Sequence, residues 1–144
     1  MTVDLTPARL GRIDHLRYKR LWLGIGCALV AIIVIGSIAR VPGPVASVMV
    51  HDKLLHLCAY AGLMGWFAQI FRHDLARVIL ALAFMVLGVG IEFLQGLTPN
   101  REFEVLDMVA NSSGVLLAWA LAYTGLGNFL PWLEQRLPAA RVDM

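Results

Sequence analysis

Charged residues are scarce in this sequence: Asp, Glu, Lys and Arg make up 15% of its 144 positions, where soluble domains carry about 25%. With 59% hydrophobic residues and a mean hydropathy of +0.72, that deficit excludes water as the main solvent. A formal net charge of +2 is too small to argue for a nucleic-acid partner. Cysteine is nearly absent. Cys27 and Cys58 both fall inside apolar runs, so no disulfide framework is expected and the two read as small buried hydrophobes. HExxH, GxSxG and phosphate-loop spacings are missing, as are internal repeats, low-complexity tracts and any soluble domain.

Apolar runs fill the space left by charge. Leu21 to Ala39, Leu54 to Phe71, Val78 to Ile91 and Met108 to Leu133 hold no Asp, Glu, Lys or Arg, and the third run extends past Glu92 to Leu97. Each lies near the roughly 20 residues needed to cross about 30 Å of hydrocarbon. They predict an all-α integral membrane protein, a bundle of four transmembrane helices at about 21–39, 54–71, 77–97 and 107–126. A basic leader, 1–20, precedes the bundle and an interfacial tail, 127–144, follows it. Breaks come at Pro42-Gly43-Pro44, Arg72-His73-Asp74 and Thr98-Pro99-Asn100. Gly62, Gly65, Gly88, Gly90, Ala110 and Gly114 read as places where membrane helices pack closely.

Nine of the twelve basic residues sit in the leader, the second loop and the tail, leaving Arg40, Lys53 and Arg101 for the other side. Cytoplasmic loops carry the Lys and Arg excess, so both termini are placed in the cytoplasm and the first and third loops outside. The first run is too long for a cleaved signal sequence and reads as an uncleaved signal anchor.

Polar residues inside these runs gather at one depth. At about 1.5 Å rise per residue, His51, Asp52 and Lys53 stand at the outer mouth of the second helix and His56 lies one turn further in. Glu92 and Gln95 lie near the outer end of the third helix, Arg101, Glu102 and Glu104 in the outer loop, and Asp107 and Asn111 at the start of the fourth. Asp52, His56 and Tyr60 share one helical stripe. Singly, these are ordinary loop or interface residues, and Asn111 alone is interhelical glue. Three helices delivering a His, several acids, an amide and an Arg to one layer point instead to a site. A carboxylate as costly in lipid as Glu92 should turn inward toward His56, Lys53 or Arg101.

Two chemistries suit this set. Asp52, His56, Glu92 and Asp107 are donors for a divalent metal or for acid–base work, as in a hydrolase or transferase acting on a lipid phosphate. Alternatively, Lys53 and Arg101 bind an anionic headgroup or wall precursor without turnover, with Gln95, Asn111 and Tyr60 lining the pocket. A proton-coupled carrier is less favoured, because the inner half offers little beyond Gln69.

The ordered set His51-Asp52-Lys53, His56, Tyr60, Glu92-Phe93-Leu94-Gln95, Arg101, Asp107, Asn111 and Gly114, spanning Val50 to Ala118, resembles the VanZ-like family. That family is named for an accessory protein of glycopeptide-resistance clusters linked to teicoplanin resistance. The resemblance implies a small multi-pass protein of the bacterial inner membrane, associated with the cell envelope, and carries these polar positions over as motif residues without catalytic roles. Ala118 departs from the small glycine expected one turn after Gly114.

Overall fold

A computed structural model describes residues 15–38, 49–97 and 103–137. In chain order these form α1 (Lys19–Ile38), α2 (Met49–Ile70), α3 (Asp74–Gly96), α4 (Val105–Leu121), a short 3-10 turn (Gly125–Asn128) and α5 (Phe129–Arg136), with no strand among the described residues. The helices follow the apolar runs but begin earlier than hydropathy alone places them. α2 starts five residues ahead of its charge-free run, and Asp52 falls in its first turn, where a carboxylate meets the positive end of the helix dipole. Asp74 does the same for α3.

Two of these helices, α1 and α3, are long and apolar enough to cross a membrane. α4 makes a third if it and Gly125–Arg136, bent from it by 77°, count as one span. The surface suits lipid: Ile32, Ile35, Leu55, Leu82 and Val86 are each more than half exposed. Polar groups lie inside. Arg77, Glu92, Gln95, Asp107, Asn111 and Glu134 are all buried, the arrangement a bilayer favours because unpaired polar groups are expensive in hydrocarbon.

Contacts between helices step along the chain in a regular way. His56 meets Asn111, Leu57 meets Gly114 and Gly65 meets Ala118, so α2 and α4 run parallel and side by side. α3 runs antiparallel to both, with Gly88 against Tyr60 and Asn111 and Arg77 against Ala68. α1 packs through Gly26 on the Phe67 and Trp66 rings and reaches Gln95 with its last turn. Tyr60, Leu63, Met64, Phe67, Phe84, Val115 and Ala118 fill the centre.

The tightest approach is at Gly114, where an added Cβ would overlap the Leu57 carbonyl oxygen and lie 3.0 Å from the Ala61 nitrogen. Gly88 also sits at a close contact, as expected, whereas Gly65 has room for an ordinary contact with Ala118 and Gly62 and Gly90 face open space. Cys27 and Cys58 are free and exposed, so their reading as buried hydrophobes is corrected. Both lie on outward faces of their helices, where an apolar solvent accepts a thiol as readily as a core does.

α4 ends at Leu121, short of the expected 126. Thr124 donates its hydroxyl to the Leu121 carbonyl and accepts the Leu126 N–H, and Gly127 comes so close to the Ala122 carbonyl that only a glycine fits. The turn sends α5 back beneath the bundle. There Glu134 accepts the backbone N–H groups of Arg17 (2.7 Å) and Tyr18 (2.8 Å) and the Trp22 indole N–H (2.6 Å). Gln69 accepts the Leu130 N–H at 2.8 Å. Burial pushes the Glu134 carboxyl up, but its three N–H donors and the Arg17 charge outweigh that and hold it below 4.5. A depressed folded value stabilises above the unfolded one and is lost as pH falls through the folded one. Glu134→Gln is therefore expected to cost about 2 kcal/mol at neutral pH. That difference from wild type should shrink below pH 4.5, read by thermal unfolding in micelles across pH.

Candidate functional site

Because α2 and α4 run parallel and touch at Gly114, their N-terminal turns lie side by side, and α3 brings its last turns up between them. Asp52, Lys53 and His56 come from α2, Asp107 and Asn111 from α4, and Glu92 from α3. Glu104 stands at the N-cap of α4. The layer inferred from depth is thus a set of side chains in contact.

Lys53 Nζ donates to Glu104 Oε2 at 2.5 Å and to Asp107 Oδ1 at 3.0 Å. Hydrogen bonds to Glu104 and then Asp107 push its pKa up and keep the ammonium charged. His56 Nδ1 lies 3.0 Å from Asn111 Oδ1. Its Nε2 faces Asp52 Oδ1 and Asp107 Oδ2, each at 3.9 Å. Asp52, His56 and Asp107 each offer a ligand atom, all within 4.8 Å of one another.

Glu92 turns inward as its cost in lipid requires, and among the described residues it meets a backbone amide rather than His56 or Lys53. Glu92 Oε1 accepts the backbone N–H of Glu104 at 2.7 Å, tying the end of α3 to the start of α4. Its other oxygen, Oε2, is buried without a hydrogen-bond partner among the described residues, as are Tyr60 OH and Asn111 Nδ2. Gly88 lets these helices close up: a Cβ there would sit 3.1 Å from Asn111 Nδ2 and 3.3 Å from the Tyr60 ring. Three polar atoms from three helices are left unpaired in one region, where an unpaired buried donor or acceptor costs about 1–3 kcal/mol each.

Gln95, buried near the end of α3, donates to the Ser37 carbonyl of α1 at 2.8 Å. Arg101 and Glu102 lie outside the described residues, as does the side chain of His51. Glu104 was read only as a loop acid. The sequence signal that places it is its position three residues ahead of Asp107, at the mouth that Lys53 also faces. Two apolar grooves lie elsewhere: one of about 210 Å³ beside Gly65, Ala118 and Gly127, another of about 360 Å³ beside Ile33, Cys58 and Trp66. Neither borders the polar cluster.

A family model described as VanZ/LLP1 matches residues 15–128. The chain belongs to the VanZ/LLP1 family. The match takes in every described residue of the cluster and reaches well beyond the Val50 to Ala118 likeness, adding α1 and the turn after α4. No curated protein and no solved structure matches the chain. Family membership and the apolar helices together identify a VanZ/LLP1 membrane protein.

Proposed function

We propose that this VanZ/LLP1 protein spans a bacterial inner membrane four times with both termini in the cytoplasm. Its polar cluster faces outward and recognises the anionic headgroup of an envelope amphiphile, a lipid or a wall precursor. The observation that carries this reading is the trio Glu92 Oε2, Tyr60 OH and Asn111 Nδ2, an acceptor and two donors left unpaired in a buried layer between three helices. A headgroup rich in hydroxyl, amide and phosphate groups supplies the missing partners. Lys53 is already shared by Glu104 and Asp107, and the reading assigns the ligand's charge to Arg101, which the sequence puts in the outer loop. The orientation rests on the basic residues at the opposite end, among them Arg72 and Arg77.

The test is purification in native lipid, with mass spectrometry of what is retained. Glu92→Gln and Arg101→Ala should each lose the retained amphiphile while insertion stays normal. Retention equal to wild type in both variants refutes the reading. The family's link to teicoplanin resistance extends it to wall-precursor handling, measured as teicoplanin susceptibility with and without the protein. A second reading, a hydrolase or transferase acting on a lipid phosphate, is favoured by the convergence of Asp52, His56 and Asp107, and turnover by purified protein separates the two.

A further inference from the structure

We infer that Asp52, His56 and Asp107 form a binding site for one divalent transition-metal cation where α2 and α4 begin. The imidazole gives the first reason. Asn111 Oδ1 accepts, so His56 Nδ1, 3.0 Å away, is the donor and Nε2 is the ring nitrogen turned toward the acids. A histidine that ligates a metal is held in this way, donating its second ring N–H to a carbonyl or carboxylate behind it. Two carboxylate oxygens face Nε2, an arrangement satisfied by a cation bound among the three.

Spacing gives the second reason. The two gaps of 3.9 Å are too long for hydrogen bonds. Bonds of about 2.1 Å to a shared ion separate two ligand atoms by up to about 4.2 Å. Asp52, its side chain 38% exposed at the helix mouth, is free to complete the set. Lys53 occupies only Oδ1 of Asp107 and leaves Oδ2 for the ion. Glu92 stands behind, 1% exposed, its Oε1 tied to the Glu104 amide and its Oε2 without a partner among the described residues.

One imidazole nitrogen with two carboxylate oxygens suits Zn²⁺ or Mn²⁺ better than the all-oxygen preference of Mg²⁺ or Ca²⁺. Three protein ligands leave a coordination position open toward the outer mouth, where a phosphate oxygen would bind. That bridging role rests on the recognition proposed above; the cation site itself does not.

Tag-free full-length protein in detergent is stripped with chelator, then titrated with Zn²⁺, Mn²⁺, Mg²⁺ or Ca²⁺ alone and read by bound-metal analysis and thermal shift. Wild type should bind one Zn²⁺ or Mn²⁺ per chain and gain thermal stability, with no comparable gain from Mg²⁺ or Ca²⁺. His56→Gln and Asp52→Asn should each weaken binding at least about 100-fold, and Asn111→Leu, which loses the support behind the ligand, by about 10-fold. Lys53→Met should bind the cation more tightly, since it removes a competing charge, whereas a plain ion-pair cluster would only be destabilised by the same change. Absence of stoichiometric binding to wild type, or binding indifferent to both His56→Gln and Asp52→Asn, overturns the site. Vesicles containing phosphatidic acid test the bridge: capture only by cation-loaded protein supports it, and equal capture by stripped protein overturns it while leaving the cation site standing.

Discussion

Gly114→Ala should destabilise the bundle by about 3 kcal/mol or more, although alanine is the better helix former by about 1 kcal/mol. The added methyl would overlap the Leu57 carbonyl and press on the Ala61 nitrogen, both backbone atoms in the middle of α2. No rotamer change relieves that, so α4 must move away from α2. The displacement would carry Asp107 and Asn111 off Lys53 and His56, and the site should fail along with the fold. Gly65→Ala is the matched comparison, because its Cβ would meet Ala118 Cβ at 3.8 Å, an ordinary contact. It should be neutral or slightly stabilising. Tryptophan fluorescence during denaturant titration in micelles reads both variants, and equal midpoints for Gly114→Ala and wild type would show that the helices do not approach so closely.

Arg77→Met should cost about 3 kcal/mol. The guanidinium sits buried at the corner between α2 and α3. Its Nε donates to the carbonyls of Ala68 and Phe71, its Nη2 donates to Ala68, and its plane covers the Tyr123 ring at 4.9 Å. These carbonyls belong to the end of α2, where helix carbonyls lack partners and a positive charge is favoured. Methionine keeps the apolar stem but leaves the carbonyls bare, and bonds to a charged donor are each worth about 1.5–3 kcal/mol. Arg77→Lys should recover only part of the loss, since one ammonium cannot fork to two carbonyls and stack on a ring. The same titration measures both variants.

The helices were legible because lipid imposes one simple pattern, runs without charge, and α1, α2, α3 and α4 each lie on such a run. Their ends were less so. Hydropathy stops at Lys53, whereas the helix continues back through Asp52 to Met49, since a helix mouth tolerates charge. The run through Leu133 hid a bend, because Thr124 and Gly127 make it by hydrogen bonding and close approach while remaining apolar enough to pass as span. The polar layer at Asp52, Lys53, His56, Glu92, Asp107 and Asn111 followed from depth alone. Individual pairings did not. Glu92 meets a backbone N–H, Lys53 takes Glu104, and Gln95 reaches α1, choices that depend on helix rotation rather than depth. Ala118 shows the same limit: its missing glycine costs nothing because Gly65 lies across from it. Glu134 was invisible as well, since its partners lie 112 to 117 positions away.

That last distance bears on how the chain is made. Translation delivers α1 to the membrane long before α5 exists, so the amides of Arg17 and Tyr18 and the indole of Trp22 must stay hydrated until Glu134 leaves the ribosome. The first helix to be inserted is the last to be fastened, and chains stopped ahead of α5 should display a loosely seated N-terminus to the quality-control proteases on that side of the membrane.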